Sequence, residues 1–235
     1  LFINHNIIFK IKENNNTQEK SYSPPPFITS TLQQYAQKTY GFKVSHTMSI
    51  AQKLYENGLI TYMRTDSTYI NKDLESELKE SIINKYGEDY FNVKVHKKVK
   101  GAQEAHECIR VTDLNYKLND KYTEEDHKLY NMIKKRTIMS HMKPAIYNQM
   151  NLSLINPKLN GLFNGKHKNL LFDGYLKYNN VSLSDKLNIN SKTVFILQNA
   201  ECKENYTNPP GYYNESSLVK KLESSGIGRP STYAS

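Results

Sequence analysis

Residues 58–67 read GLITYMRTDS, which places a tyrosine, an arginine and an aspartate at alternate positions shortly after a glycine. Successive side chains of an extended segment point to opposite faces, so Tyr62, Arg64 and Asp66 would project from one side. The residues between them, a methionine and a threonine, would point the other way. This spacing predicts that a phenol and a guanidinium can contact the same phosphate group.

A tyrosine needs assistance to act as a nucleophile near neutral pH. A phenol with the ordinary pKa of about 10 is only about 0.1% ionised there. A neighbouring arginine stabilises the phenolate, stays charged and fits two phosphate oxygens at once. The chain contains 18 tyrosines, and most aromatic side chains serve packing, so the stretch alone does not establish catalysis.

The composition favours a polyanionic partner. Lys and Arg number 32 against 23 Asp and Glu, which gives a formal net charge of +9, and basic proteins attract nucleic acids. No apolar run approaches the ~20 residues that a membrane-spanning helix needs, and no secretory signal is visible. We therefore expect a polyanionic partner and no membrane.

The cysteines and histidines predict no metal site in this chain. Cys108 and Cys202 are far apart and lack CxxC spacing, which argues against a disulfide framework and against zinc. His106-Glu107 begins like a metalloprotease HExxH motif, but the second histidine is replaced by Arg110. That class of enzyme is excluded.

Start and stop signals predict five helices. They run from a cap at Ser30 or Thr31 to Gly41, from a cap at Ser45 to Gly58, over Lys72–Tyr86, over Glu124–Met142, and from a cap near Asn214 to Gly226. An apolar stripe of the second helix is expected to face the core. It consists of Met48, Ala51, Leu54 and Tyr55. The tyrosine at position 62 follows soon after this helix, which would limit its movement.

The remaining segments predict a sheet and its linkers. Short alternating or apolar runs at residues 146–155, 170–178 and 193–198 indicate strands. Near the beginning, Leu1–Ile11 looks like the end of a strand and Glu13–Lys20 like a polar loop. Three successive prolines at residues 24–26 then indicate a domain boundary.

Five sequence blocks that follow one another along the chain indicate a protein family more specifically than any single block does. They are Pro26–Gln34 (PFITSTLQQ), Thr47–Tyr55, Gly58–Ser67, Gln103–Arg110 (QEAHECIR) and Ser217–Ser235 (SLVKKLESSGIGRPSTYAS). In combination they resemble the bacterial DNA topoisomerase I family, which is of type IA. A methionine after Tyr62 is typical of this branch, because the topoisomerase III branch usually has proline there. Cys108 and Val111 stand where the family commonly has alanine and proline.

The resemblance implies an ATP-independent reaction on DNA. Tyr62 would attack one strand and form a 5′-phosphotyrosine. After another strand has passed through the gap, the phosphate would return to the 3′-hydroxyl, which relaxes negative supercoils. Arg64 would position the phosphate and stabilise charge on its oxygens. The covalent bond retains the phosphodiester energy, so no ATP is required.

Further site residues follow from the same resemblance. Asp66 and His106 would be additional catalytic residues, because a carboxylate can fix the tautomer of an imidazole and raise its pKa. Thr61 would donate a hydrogen bond to a DNA phosphate, or would be an ordinary β-branched residue of an extended segment. A glycine-containing junction in the last block would contact single-stranded DNA. Its DNA-binding residues would be Arg229, Ser231 and Thr232.

The resemblance also implies a multidomain α+β fold that forms part of a type IA toroid. A mainly helical domain with the catalytic tyrosine would be inserted in a β-rich hinge or arch domain. The expected boundaries are 1–26 for the end of an arch strand and a linker, 27–142 for the helical cap domain, 143–207 for the β-rich arch, and 208–235 for the start of a DNA-gripping helical domain.

Magnesium is expected to bind outside this chain. Both ends of the sequence look cut, and the family's N-terminal toprim domain, or a partner that supplies it, would hold Mg²⁺ and provide a glutamate that assists cleavage. We expect the chain alone to bind DNA but to relax supercoils poorly or not at all. The expected location is intracellular, in the bacterial cytoplasm or nucleoid, or in an organelle of bacterial origin.

Two other functions fit the residues. The chain could be a non-catalytic module that binds single-stranded nucleic acid, because many tyrosines and a basic surface suit base stacking and backbone contact. It could also be a structural remnant that docks to a partner. Loss of the Tyr62 hydroxyl would leave a binding module unaffected, and a remnant would show no salt-dependent affinity for single-stranded DNA.

Overall fold

The computed structural model describes residues 7–92, 107–183, 189–190 and 192–233 and has an α+β fold. The chain divides into two compact units. A sheet unit combines residues 1–22 with 144–210, and a helical unit combines residues 23–143 with 211–235. The first part of the helical unit is thus inserted in the sequence of the sheet unit, and the predicted α+β class is confirmed.

The described part of the sheet unit is built on four antiparallel strands in the order β3-β2-β1-β4. The strands are β1 (Ile8–Ser21), β2 (Ala145–Ile155), β3 (Phe163–Phe172) and β4 (Val194–Ile196). Phe9 of β1 packs edge-on against Phe163 of β3, with ring centroids 4.7 Å apart. Contacts of this kind between aromatic side chains stabilise the packing of the sheet.

The prediction of a loop at residues 13–20 is wrong, because these residues lie within β1. They pair in register with β2 from Glu13↔Ser153 to Lys20↔Ile146. Asparagine and lysine have low β propensity, and this stretch has no apolar alternation, so its composition suggested a loop. The hydrogen-bonded ladder to β2 stabilises the strand instead. The prediction for residues 170–178 is also partly wrong, since Gly174–Asn179 form a 3₁₀ helix.

The helical unit contains five α-helices in its described residues. They are α1 (Thr29–Tyr40), α2 (Val44–Glu56), α3 (Lys72–Tyr86), α4 (Glu124–Met139) and α5 (Glu215–Ser224). The bounds of α3 are as predicted, and Asn214 caps α5 as predicted. The other starts and ends differ by a few residues. For example, α2 begins after Lys43, not at a Ser45 cap, and α4 ends at Met139, not Met142.

The core of the helical unit forms where α1, α2, α3 and α4 bury one face each. Its largest fully buried side chains are Phe27, Leu32, Leu54, Ile60, Met63, Leu78, Ile82, Ile109, Leu129, Tyr130, Ile133 and Met142. Tyr55, which was predicted to face this core, is 40% exposed. None of the helices among the described residues is both long and apolar enough to cross a membrane.

Candidate active site

The segment after α2 is held in place by backbone hydrogen bonds rather than by a strand. Gly58 adopts a positive φ of 71°, which favours glycine, and lets the chain turn as its N–H donates to Tyr55 O at 2.8 Å. Ile60 then forms an antiparallel bridge with Val111. The backbone just before Tyr62 is therefore held in place.

Side-chain burial alternates along this segment as the sequence predicted. Met63 and Thr65 are each 2% exposed, whereas Tyr62 is 37% exposed. Arg64 is also exposed and Asp66 is half-buried. The buried residues anchor the segment, and the phenol and guanidinium are directed towards solvent.

Thr29, the first residue of α1, fixes the buried side of the segment. Its hydroxyl donates to Met63 O at 2.8 Å and accepts from the Thr65 N–H at 2.8 Å. The Thr29 N–H also donates to Thr65 O at 2.9 Å. Since these groups are buried, breaking them would leave unsatisfied polar atoms. The nucleophile segment is thereby attached to the start of α1.

Thr61 joins the nucleophile segment to residues 108–111. Its hydroxyl donates to Cys108 O at 2.6 Å and accepts from the Arg110 N–H at 3.0 Å, while the Thr61 N–H donates to Arg110 O at 2.9 Å. The hydroxyl that was predicted to contact DNA thus holds two protein groups. His106, the candidate catalytic histidine, lies outside the described residues, and so does any contact that it makes with Asp66.

The segment beside Thr61 is itself secured by an ion pair that the sequence did not single out. Arg110, 9% exposed, contacts the Glu107 carboxylate at 2.6 and 2.8 Å. Between them, burial raises the pKa of the Cys108 thiol. A buried thiol with a raised pKa is unreactive, so Cys108 is a packing residue rather than a nucleophile.

The C-terminal segment contacts the nucleophile segment through Arg64. The Arg64 Nη1 donates to Ser231 O at 2.9 Å. In the same segment, the Arg229 N–H donates to the Thr232 hydroxyl at 3.0 Å, and Arg229 Nη1 donates to Gly228 O at 3.2 Å. The structure therefore brings Arg64 to the segment that contains Arg229, Ser231 and Thr232, whose contact with DNA stays a prediction.

Asp66 reaches the same segment electrostatically. Burial raises the pKa of Tyr233, the Glu223 and Asp66 carboxylates raise it further, and Arg229 lowers it. Charges act on a phenol in this way only at short range. The Glu223 and Asp66 carboxylates and the Arg229 guanidinium thus all act on the Tyr233 phenol.

Tyr55 is a neighbour of the candidate nucleophile that the sequence did not identify as such. Its ring lies edge-on to that of Tyr62, with centroids 5.3 Å apart. The helical stripe suggested a core residue, but in the last turn of α2 Leu54 is fully buried and Tyr55 beside it is exposed. Two partly exposed tyrosines therefore lie side by side.

Comparisons with known proteins give matches that agree with one another. A family model described as DNA topoisomerase matches residues 3–235. The DNA topoisomerase 1 of Helicobacter pylori strain 26695 is 44% identical over 232 residues, which cover 92% of this chain and 31% of the relative. The DNA topoisomerase 1 of Rickettsia bellii is 40% identical over 248 residues, which cover 96% of this chain and 31% of the relative.

A solved structure agrees with these relatives. Full-length topoisomerase I from Thermotoga maritima matches with a TM-score of 0.80 and 35% sequence identity, over 97% of this chain and 39% of that one. The chain spans about a third of the length of the curated relatives that it matches.

Proposed function

Since this chain belongs to the bacterial DNA topoisomerase I family, we propose that it carries the nucleophile of a type IA DNA topoisomerase. Tyr62 Oη gives up its proton and attacks a DNA phosphorus, and the bond from phosphorus to the 3′ oxygen breaks. The 3′ oxygen leaves with a proton as a hydroxyl, and the phosphate stays on the tyrosine as a 5′-phosphotyrosine. Attack by that 3′-hydroxyl reverses the step after strand passage.

Arg64 is proposed to bind the phosphate that Tyr62 attacks. Its guanidinium has five N–H donors, and Ser231 O occupies one Nη1 direction, so other donors can reach the non-bridging oxygens. A fixed guanidinium stabilises the charge that develops in the transition state at little reorganisation cost. Asp66 and His106 are proposed to assist, as a carboxylate and an imidazole near the reacting phosphate.

One observation carries this proposal. Tyr62 and Arg64 are exposed on a segment whose intervening residues are buried and hydrogen bonded to α1. Two residues of extended chain span roughly 7 Å, a separation that a phosphate with its oxygens can bridge.

The proposed reaction uses no ATP, and Mg²⁺ is assigned to the whole enzyme. Within the described residues no group of three or more His, Cys, Asp or Glu side chains could hold a metal ion. We assign the metal to an N-terminal toprim domain or to a partner that supplies one. The chain by itself is then proposed to bind single-stranded DNA without relaxing supercoils, in the bacterial cytoplasm or nucleoid or in an organelle of bacterial origin.

A substrate with a better leaving group tests the nucleophile without that domain. In an oligonucleotide with sulfur in place of the bridging 3′ oxygens, the leaving group is a thiolate with a pKa of about 8.5, which departs without a proton donor. Wild-type chain and the Tyr55→Phe variant should form a covalent adduct that survives denaturation, and Tyr62→Phe should form none. An adduct in all three, or in none, would contradict the proposal, and the second result with binding intact would favour the non-catalytic binding module.

A further inference from the structure

A groove with uncompensated positive charge lies within the helical unit. It has a volume of about 820 Å³ and is lined by α1, by the first turns of α5 and by α4. Its charged lining residues are Lys38, Arg136 and Lys220, and no acidic residue lines it. Among the described residues, none of these three cations forms an ion pair. The carboxylate of nearby Glu215 is engaged with the Val44 N–H at 2.6 Å.

Hydrogen bonds at both ends hold the walls of the groove together. The Ser30 hydroxyl donates to the Glu223 carboxylate at 2.5 Å, and the Ser216 N–H donates to Gln37 Oε1. These bonds join the start of each helix to the end of the other, so α1 and α5 run antiparallel. A groove with fixed walls binds a ligand without first ordering its own residues.

An aromatic surface adjoins the cations. The Arg136 guanidinium lies over the rings of Phe27 and Tyr35, at 4.2 and 4.8 Å from their centroids. The Tyr35 side chain, which lines the groove, is 39% exposed. Cations beside an accessible ring are the combination that single-stranded nucleic acid uses, with phosphates on the cations and a base on the ring.

The groove is also close to the nucleophile along the chain. Thr29 at the start of α1 is bonded to Thr65 of the nucleophile segment. Lys38 lies nine residues further along the same helix, which is about 14 Å at a rise of ~1.5 Å per residue. The helix whose later turns line the groove is therefore hydrogen bonded at its start to the segment that carries Tyr62.

We infer that this groove binds single-stranded DNA, with backbone phosphates on Lys38 and Lys220 and a base against Tyr35. The inference rests on the proposed function, because it gives the strand held at Tyr62 a second binding region. Arg136 contributes charge and supports the ring. Duplex DNA binds less well, since paired bases cannot stack on Tyr35.

A second cavity of the helical unit provides a matched control for substitutions in the groove. It is smaller, about 250 Å³, and is lined by Lys72 and Lys79 together with Glu75. Here a carboxylate offsets the positive charge. Removing these two lysines changes the net charge by the same amount without affecting the groove.

The test compares two double variants by binding an oligothymidylate over a series of NaCl concentrations. In Lys38→Gln/Lys220→Gln, loss of two phosphate contacts should reduce the slope of log affinity against log salt by about 1.4 and weaken binding at low salt about tenfold or more. In Lys72→Gln/Lys79→Gln, the slope should be nearly unchanged. Thermal unfolding of both variants should match wild type.

Three results would overturn the inference. They are equal losses in the two double variants, no loss in the groove variant, and tighter binding of duplex than of single-stranded DNA by wild type. The adduct assay separates this from the proposed function. If Tyr62 forms its adduct while the groove variant keeps the wild-type salt slope, only the groove inference fails. If the slope falls but no adduct forms, only the proposed nucleophile fails.

Discussion

Gly228 has little room for a side chain, and this can be tested. Its φ is +82°, and an added Cβ would lie 3.0 Å from Cε1 of Tyr233 and 3.4 Å from the Thr232 hydroxyl oxygen. Gly226 has a similar φ of +69° but open space around it. At both positions an alanine in the left-handed conformation costs about 1–2 kcal/mol. Any difference between the two alanine variants therefore measures the effect of the contact with Tyr233 and Thr232.

We predict that Gly228→Ala weakens binding of single-stranded DNA several-fold more than Gly226→Ala does. The displaced segment would no longer present Ser231 O to Arg64 in the same position. Fluorescence anisotropy with a labelled oligonucleotide measures the two dissociation constants. Equal effects of the two substitutions would show that the close contact is unimportant for binding.

Thr61 offers a second prediction for a single residue. Thr61→Val removes the donor to Cys108 O and the acceptor for the Arg110 N–H, and unsatisfied groups cost about 1–3 kcal/mol. We expect the free energy of unfolding to fall by that amount and the yield of Tyr62 adduct to fall with it. Urea unfolding and the adduct assay measure the two quantities.

Thr61→Ser is the matched control because it retains the hydroxyl. It should keep nearly wild-type adduct yield, with only a small loss of stability from the missing methyl group. If valine and serine behaved alike, the hydroxyl would not hold the nucleophile segment.

The start of α4 depends on Asp126, which also ties this helix to α2. Its carboxylate accepts from Lys53 Nζ at 2.5 Å and from the Thr123 N–H at 2.8 Å. Burial acts to raise the pKa of Asp126, but the hydrogen bonds from Lys53 and Thr123 outweigh it and the pKa is lowered. A lowered pKa in the folded state means that the ionised form stabilises the fold.

We predict that Asp126→Asn lowers the free energy of unfolding by about 1–2 kcal/mol near neutral pH. The stabilisation is fully present above the unfolded pKa of about 3.9 and is lost as pH falls through the lower folded value. The difference from wild type should therefore shrink below about pH 4. Urea unfolding across this pH range measures it.

Glu124→Gln in the same helix turn is the control. Glu124 pairs with Lys128 at the surface, and exposed pairs contribute little. Its substitution should change the free energy of unfolding far less than Asp126→Asn does. A loss as large as that of Asp126→Asn would indicate general charge effects rather than the cap.

Local sequence signals predicted the helices better than the strands. Asn71 caps α3 through the Leu74 N–H, and Gly87 follows its end, so both bounds could be read from the sequence. No such local signal marks β1, because its polar residues are ordered by pairing with β2, more than 120 positions away. Pairing of distant segments is the part that local reasoning could not supply.

In the candidate site, too, local features could be predicted from the sequence and contacts between distant residues could not. The spacing alone predicted that Tyr62 and Arg64 lie on the same, exposed side of the segment. The hydrogen bond from Arg64 to Ser231, 167 positions apart, could be expected only from the family resemblance. The anchoring by Thr29 and the neighbouring ring of Tyr55 required the folded chain, since they depend on how α1 and α2 pack.

At the level of the whole molecule, binding and relaxation should be separable. The chain spans about a third of the length of its curated relatives, and its proposed metal site lies elsewhere. We predict that the chain binds single-stranded DNA in a salt-sensitive way but leaves negatively supercoiled plasmid unrelaxed when Mg²⁺ is present. Agarose electrophoresis measures the topology, and relaxation by the chain alone would contradict this prediction.

The central claim is that Tyr62 becomes linked to a 5′-phosphate of DNA. Its most direct test is to digest the adduct formed with the sulfur-substituted oligonucleotide and to identify the modified peptide by mass spectrometry. The account predicts nucleotides from the 3′ side of the break, attached to Tyr62 through their 5′-phosphate. Attachment to Tyr55 or to another tyrosine, or through a 3′-phosphate, would contradict it.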